Sequence, residues 1–229
     1  MILFKSQELE KPCPCPYLPD KKKQLKYFLA GELNKSDVSF LLAKGWRKFG
    51  IYFFQPSCPD CRECIPIRIL SNEFKPTKSQ KRNLKKNSAI KVVFGPLKFS
   101  ERAFEIYKDH SSKRFSEECN LEEFIFNFYS PSTPSLQSEF YLNDELIGLG
   151  YLDEGKDCLN SVYFIYDAKV SHLGLGIFSI LKEIEYTRSL GLKYYCLGYY
   201  VQACQSMAYK GNFKPREHYN WLHDRWEIT

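Results

Sequence analysis

The chain has 229 residues, enough for one large domain or two small ones, and its 44% hydrophobic content supports an ordinary buried core. No run of 18 apolar residues occurs and "MILFKSQELEK" lacks the apolar stretch of a secretion signal, so a cytoplasmic protein without a membrane helix is expected. The net charge of +6 is local: seven basic and no acidic residues lie in "KPTKSQKRNLKKNSAIK" (75–91), and the remainder is close to neutral. Such a segment points to an anionic polymer or surface, with a solvated basic face as the alternative.

In chain order, residues 1–24 read as irregular, with four prolines and a lysine run. "QLKYFLAGELNKSDVSFLLAKGW" reads as helical segments ending at Gly45, with Asn34, Ser36 or Asp37 as caps. "FGIYFFQP" and "CIPIRIL" predict two strands around a cysteine loop. Thr77 caps a helix running to about Lys86, and "IKVVFGP" is a short strand. Residues 100–114 and 119–129 read as helices before the "SPSTPS" break. Asn143-Asp144 then marks a hairpin between "SEFYL" and "ELIGLGYLDE". "LNSVYFIYD" is a third strand of this half. Gly174 and Gly176 open a helix whose Ile177, Leu181 and Ile184 share a face, and Gly191 ends it. "LKYYCLGYY" is a fourth strand and "QACQSMAYKG" a short helix.

Three motifs carry chemistry. Glycines before a helix let a ligand approach unpaired backbone N–H groups, so "HLGLG" suits phosphate, or else only tight strand–helix packing. That loop resembles the acyl-CoA loop of GNAT-type N-acyltransferases, with Ser171 in the lead position and Lys169 its one basic residue. On a helix, Lys78, Arg82 and Lys85 fall at i, i+4 and i+7 with Lys81 beside them; a nucleic-acid backbone would offset their repulsion through counterion release. Cys13, Cys15, Cys58, Cys61 and Cys64 form two tight groups whose all-sulfur ligation suits either zinc or an iron–sulfur cluster, with a reduced, metal-free loop as the alternative. Cys119, Cys158, Cys196 and Cys204 read as small buried apolar residues. The four histidines are dispersed, and no nucleophile–base pair stands out.

Several long stretches resemble one family. "CPYLP", "GWRKFGIYFFQPSCPDCRECIPIRI", "FKPTKSQKRNLKKN", "SVYFIYD", "LKYYCLGYYVQACQSMAYKGNFKP" and Trp226 are similar to the aminoacyl-tRNA–protein transferases, in particular the bacterial aspartate/glutamate leucyltransferase branch. Gly174, Ala168 and Ile177 depart from that pattern, where the family has serine, proline and arginine. The resemblance implies an α+β chain with a GNAT-like acyltransferase fold at 75–229, preceded by a cysteine-rich region at 1–74. It implies transfer of leucine from Leu-tRNA to the α-amine of proteins that begin with Asp or Glu, creating an N-degron, with no organic cofactor. Arginine as donor is the alternative, and would need an acidic pocket from Glu139, Asp153 or Glu154. An acyl-CoA-dependent N-acetyltransferase and a non-enzymatic metal- and RNA-binding module are more distant alternatives.

Under this resemblance Lys75, Lys78, Lys81, Arg82, Lys85 and Lys86 would hold the tRNA backbone. The acceptor's carboxylate calls for a cation, with Arg47 and Arg68 first and Lys210 third. Tyr163, Tyr199 and Tyr209 would form the leucine pocket, and one phenol would donate to the oxyanion. Gly198 would let the acceptor backbone lie against its strand.

Overall fold

The computed structural model describes residues 1–115, 120–130 and 132–229, of 112–115 the backbone only; Cys119 lies outside this set. Two mixed layers of strand and helix form an α+β architecture. The smaller sheet contains β1 (Ile2–Leu9), β4 (Leu25–Gly31), β6 (Tyr52–Pro56) and β5 (Arg47–Phe49), in that order. A short ribbon of β2 (Cys13–Pro14) and β3 (Lys22–Lys23) sits beside it, and α1 (Lys35–Ala43) follows β4. Two expectations fail here. Residues 1–24 are not irregular, because β1 pairs antiparallel with β4. Residues 25–31 are a strand, not a helix: "LKYFLAG" is sandwiched between β1 and β6, and that pairing overrides the helical leaning of its leucines and alanine. The α1 expectation holds in detail, with Asn34 accepting from the Ser36 and Asp37 amides.

The larger sheet takes the order β14 (Arg225–Ile228), β13 (Arg216–Asn220), β7 (Ile65–Leu70), β12 (Tyr194–Tyr200), β11 (Cys158–Tyr166), β10 (Glu145–Glu154), β9 (Ser135–Leu142), β8 (Lys91–Pro96). The β13–β14 hairpin has no counterpart in the sequence reading. β7, which precedes residue 74, is hydrogen-bonded between β12 and β13 of this sheet. Asn143 and Asp144 both take positive φ at the β9–β10 turn, as a tight right-twisted hairpin requires. Helix α5 (Leu175–Ser189) packs on β11 and β12, burying Ile180, Leu181 and Ile184 against Ile67, Leu159 and Tyr195. Helix α2 (Lys78–Lys86) lies on α5, capped by Thr77. Helices α3 (Glu101–Phe115) and α4 (Leu121–Tyr129) cover the other end of the sheet, and α6 (Gln205–Ala208) follows β12. Among the described residues no helix is long and apolar enough to cross a membrane.

Candidate active site at a strand fork

β11 and β12 are parallel neighbours, but they pair only from Cys158↔Tyr194 to Asn160↔Cys196. Beyond that point they part. A bulge on β11 shifts its register against β10 between Tyr151↔Tyr163 and Leu152↔Ser161, and Val162 is the extra residue. β12 bulges against β7 between Cys196↔Arg68 and Tyr199↔Pro66, where Gly198 has φ +76°. A side chain there would be strained, so glycine is the residue that lets β12 swing away. The fork opens a cleft of about 450 Å³ between Ser161–Phe164 on one wall and Leu197–Tyr199 on the other. Gly176 and Ile180 of α5 face it from the helix side, and Tyr209 and Lys210 close the far side.

Three cations reach this cleft, and no aspartate or glutamate lines it among the described residues. Arg47 is nearly buried; its guanidinium donates to Trp46 O at 2.7 Å and Gly198 O at 3.1 Å and lies 5.3 Å from the Tyr199 ring centroid. Among the described residues its Nε has no hydrogen-bond partner. Lys210 Nζ donates to the next carbonyl, Tyr199 O, at 2.9 Å, and burial beside Arg47 lowers its pKa to about 8. Consecutive peptide carbonyls of β12 therefore hold two cations side by side. Lys48, which the sequence reading passed over, pairs with buried Asp153 at 3.1 Å. Asp153 also accepts from Thr133 Oγ1 at 2.8 Å and Ser135 Oγ at 2.9 Å.

The expected site residues separate accordingly. Arg47, Lys210, Gly198, Tyr163, Tyr199 and Tyr209 all come together in the cleft. Arg68 does not. Its Nε bonds Glu217 at 2.5 Å and its guanidinium lies between the Tyr194 and Trp226 rings, outside the cleft lining. Tyr199 contributes its ring to the cleft, and its hydroxyl donates to Gly45 O at 2.9 Å. Tyr17, Phe49 and Phe54 add aromatic wall that nothing in the sequence pattern marked.

The glycine turn is held from outside. Asn83 of α2 and Asn87, its C-cap, donate their amides to Leu173 O, Asn83 also to Gly174 O, and Lys86 Nζ donates to His172 O at 2.6 Å. The basic helix therefore docks on the turn that begins α5. Lys75, Lys78, Lys81, Arg82, Lys85 and Lys86 are all exposed, and none is in a salt bridge with a carboxylate among the described residues.

Cys15, Cys58, Cys61 and Cys64 line a second chamber of about 340 Å³ that shares Tyr17, Phe49, Phe54 and Tyr199 with the cleft. Burial and the three neighbouring thiols push Cys64 up to about 12. Cys13 is exposed on β2 and is not among the lining residues. Four thiols in one place are the donor set of a tetrathiolate centre, although among the described residues no three ligand-type side chains stand at coordinating spacing. Cys158 and Cys196 are buried as expected, and Cys204 is half-buried.

The candidate site is thus a sheet fork walled by aromatics, lined by three cations and bordered by the first turn of α5. Residues 13–82 match the N-terminal region, and residues 101–220 the C-terminal region, of the arginine-tRNA-protein transferase family. The chain is 34% identical over 211 residues to the aspartate/glutamate leucyltransferase of Campylobacter jejuni serotype O:6, covering 89% of this chain and 88% of that one. It is 31% identical to the aspartate/glutamate leucyltransferase of Marinobacter nauticus, covering 90% and 89%. Among solved structures, FemX aligns with 85% of this chain and 79% of its own at 7% identity and a TM-score of 0.45, and L-PGS from Bacillus licheniformis with 76% and 52% at 10% identity and a TM-score of 0.46. The chain belongs to the arginine-tRNA-protein transferase family and is an aminoacyl-tRNA-dependent transferase.

Proposed function

We propose that this chain moves leucine from Leu-tRNA to the α-amine of cytoplasmic proteins that begin with Asp or Glu, in a GNAT-like fork. The observation that carries this reading is the charge of the cleft: three cations, aromatic walls and, among the described residues, no acidic lining. An acidic N-terminal side chain suits Arg47, whose planar fork of donors matches a carboxylate. A donor arginine would need a counter-charge. Of the three carboxylates that could have supplied one, Asp153 is tied to Lys48, Glu154 pairs with Lys35, and Glu139 bonds Gln137 and Tyr141. Leucine fits the aromatic wall without one.

The reaction is an aminolysis. The acceptor's nitrogen attacks the ester carbonyl carbon, a C–N bond forms, the C–O bond to the ribose breaks, and a proton passes from the nitrogen to the departing ribose oxygen. An α-amine has a pKa of roughly 7.7–8.0, so a useful fraction is neutral near pH 7. Holding amine and ester together supplies roughly 7–11 kcal/mol of the barrier. Tyr163 and Tyr209, both in the cleft lining, are the phenols proposed to face the oxyanion. Arg47 and Lys210 meet the acceptor's carboxylate, and Gly198 leaves room for its backbone. The six exposed cations of residues 75–86 hold the tRNA backbone. Cys15, Cys58, Cys61 and Cys64 would hold a zinc ion or iron–sulfur cluster with a structural role, and Cys13 would not.

The test offers Leu-tRNA and Arg-tRNA, each separately labelled, with peptides that begin with Asp, Glu, Asn or Lys. Labelled leucine on the Asp and Glu peptides alone is the expected result. Arginine transfer, or leucine transfer to the Lys peptide, overturns the reading.

A further inference from the structure

The basic helix α2 has a second face. Its outward side carries Lys78, Lys81, Arg82 and Lys85, and its inward side carries Gln80, Asn83, Leu84 and, as C-cap, Asn87. The inward positions are those of a core stripe, yet three of the four are amides, where burial ordinarily selects apolar side chains. Gln80 is 5% exposed and Asn87 1%. Among the described residues Asn83 Oδ1 and Asn87 Oδ1 have no hydrogen-bond partner. Buried amides left half-satisfied are a cost to the fold, so what their N–H groups reach matters.

They reach two loops that flank the cleft. Gln80 Nε2 donates to Asn212 O at 3.2 Å, at the end of the Tyr209–Asn212 turn whose Tyr209 and Lys210 line the cleft. Asn83 Nδ2 donates to Gly174 O at 3.2 Å and more loosely to Leu173 O at 3.4 Å, and Asn87 Nδ2 donates to Leu173 O at 3.0 Å. Gly174 caps α5 with φ +67°, and a Cβ on it would stand 3.1 Å from Asn83 Nδ2, so the amide lies directly against the turn. Gly176, two residues on, lines the cleft. Gln80 Oε1 meanwhile accepts from the Thr77 amide, which completes the cap of α2. One helix thus bonds both the start of α5 and the Tyr209–Asn212 turn, through groups whose hydrogen bonds are directional.

We infer that Gln80, Asn83 and Asn87 are positioning residues: they lock the helix that holds the RNA to two walls of the cleft, so that the ester arrives in register with the groups that act on it. The inference rests on the transferase reading and its tRNA seat, and adds the link between seat and cleft. None of the three amides lines the cleft; each acts through backbone that leads directly into it. Apolar packing alone would tolerate sliding of α2 over α5, whereas amide–carbonyl bonds fix one register. A displacement of about 1 Å at the reacting groups costs on the order of a hundredfold in rate, so this link is a sensitive one. The exposed cations set how tightly the RNA is held, and the amides set where its end arrives.

The experiment compares the full-length parent with Q80E, N83A and the double variant Q80E/N83A. Single-turnover leucine transfer from Leu-tRNA to an Asp-started peptide gives the rate at saturation. Amide exchange with and without uncharged leucine tRNA gives the coupling. Q80E keeps the oxygen that caps Thr77 but replaces the donor to Asn212 by a second carboxylate oxygen. The double variant is expected to transfer about tenfold or more slowly at saturation, with the half-saturating tRNA concentration within about threefold of the parent's. Each single variant is expected to be about threefold slower, which keeps the test valid if the double variant does not fold. In the parent, uncharged tRNA is expected to slow exchange on α2 and, with it, over 172–176 and 209–212. N83A should keep the protection of α2 and lose that of 172–176; Q80E should lose that of 209–212 alone. Single variants with the parent's rate and protection pattern, or a parent in which tRNA protects α2 and neither loop, overturn the inference and leave the function intact. A parent whose α2 gains no protection from tRNA overturns the seat and the inference together. A parent that transfers no leucine overturns the function, and the protection pattern then decides the link by itself.

Discussion

The cleft and the basic helix both carry unusual positive charge, and they handle it in opposite ways. In the cleft every cation is oriented: Arg47 by the carbonyls of Trp46 and Gly198, Lys210 by that of Tyr199, Lys48 by Asp153. On α2 the cations are exposed; among the described residues none pairs with a carboxylate, and Lys86 alone is tied down, to His172 O. Oriented charge in a partly dry cleft can distinguish one small carboxylate from another group. Exposed charge spread along a helix attracts any long polyanion and is weakened by salt. Under the proposed function, selectivity and affinity would therefore be separated by the depth at which the molecule places its lysines and arginines.

The largest effect that could break this contrast lies at Asp153. Replacing it with alanine leaves Lys48 buried without its partner and is expected to cost roughly 3–5 kcal/mol, read by urea denaturation. Single alanines at Lys78 or Lys81 are expected to change stability by less than about 0.5 kcal/mol. A D153A protein as stable as its parent would mean the cleft's charges are no more organised than those of the helix.

The next effect concerns pH. Burial raises Glu183 of α5 from 4.5 to about 7, against the lowering pull of its hydrogen bonds from Tyr195 and Ser138. Its neutral form is favoured in the folded state, so its contribution to stability is full below about pH 4.5 and is lost as pH rises toward 7. The decline is on the order of 3 kcal/mol. The E183Q protein cannot ionise there and is expected to lack that decline, read as the difference in unfolding free energy between pH 5 and pH 7.

A smaller effect in energy, but sharper in kind, is expected on α2. Replacing Lys78, Lys81, Arg82 and Lys85 together by alanine should raise the KM for tRNA about tenfold at low salt with kcat nearly kept. The slope of log affinity against log salt should flatten by roughly 0.7–0.9 for each phosphate that the helix no longer neutralises. An unchanged slope would put the tRNA elsewhere.

Part of this was legible in the residues. Thr77 before a polar, basic run gave the helix and its cap, and Asn143-Asp144 gave the hairpin. Arg47, Gly198 and Lys210 could be picked out because the motif stretches contained them. Arg68 looked equivalent to Arg47 in sequence, and only the pairing of β7 with β13 reveals Glu217 opposite it. β4 was misread because a strand's identity here depends on partners far along the chain. Lys48 carries no local signal, since its partner Asp153 comes from β10. Glu183 did leave one: a glutamate on the same helical stripe as Ile180 is an anomaly a closer reading would have marked.

The central claim is that Arg47 recognises the acceptor's side-chain carboxylate. The direct measurement is a two-by-two cycle of leucine transfer, with Asp- and Asn-started peptides offered to the parent and to R47A. The account predicts that the parent prefers Asp by about a hundredfold in kcat/KM and that R47A brings the two peptides nearly level. An R47A enzyme that still prefers Asp as strongly as the parent would contradict it.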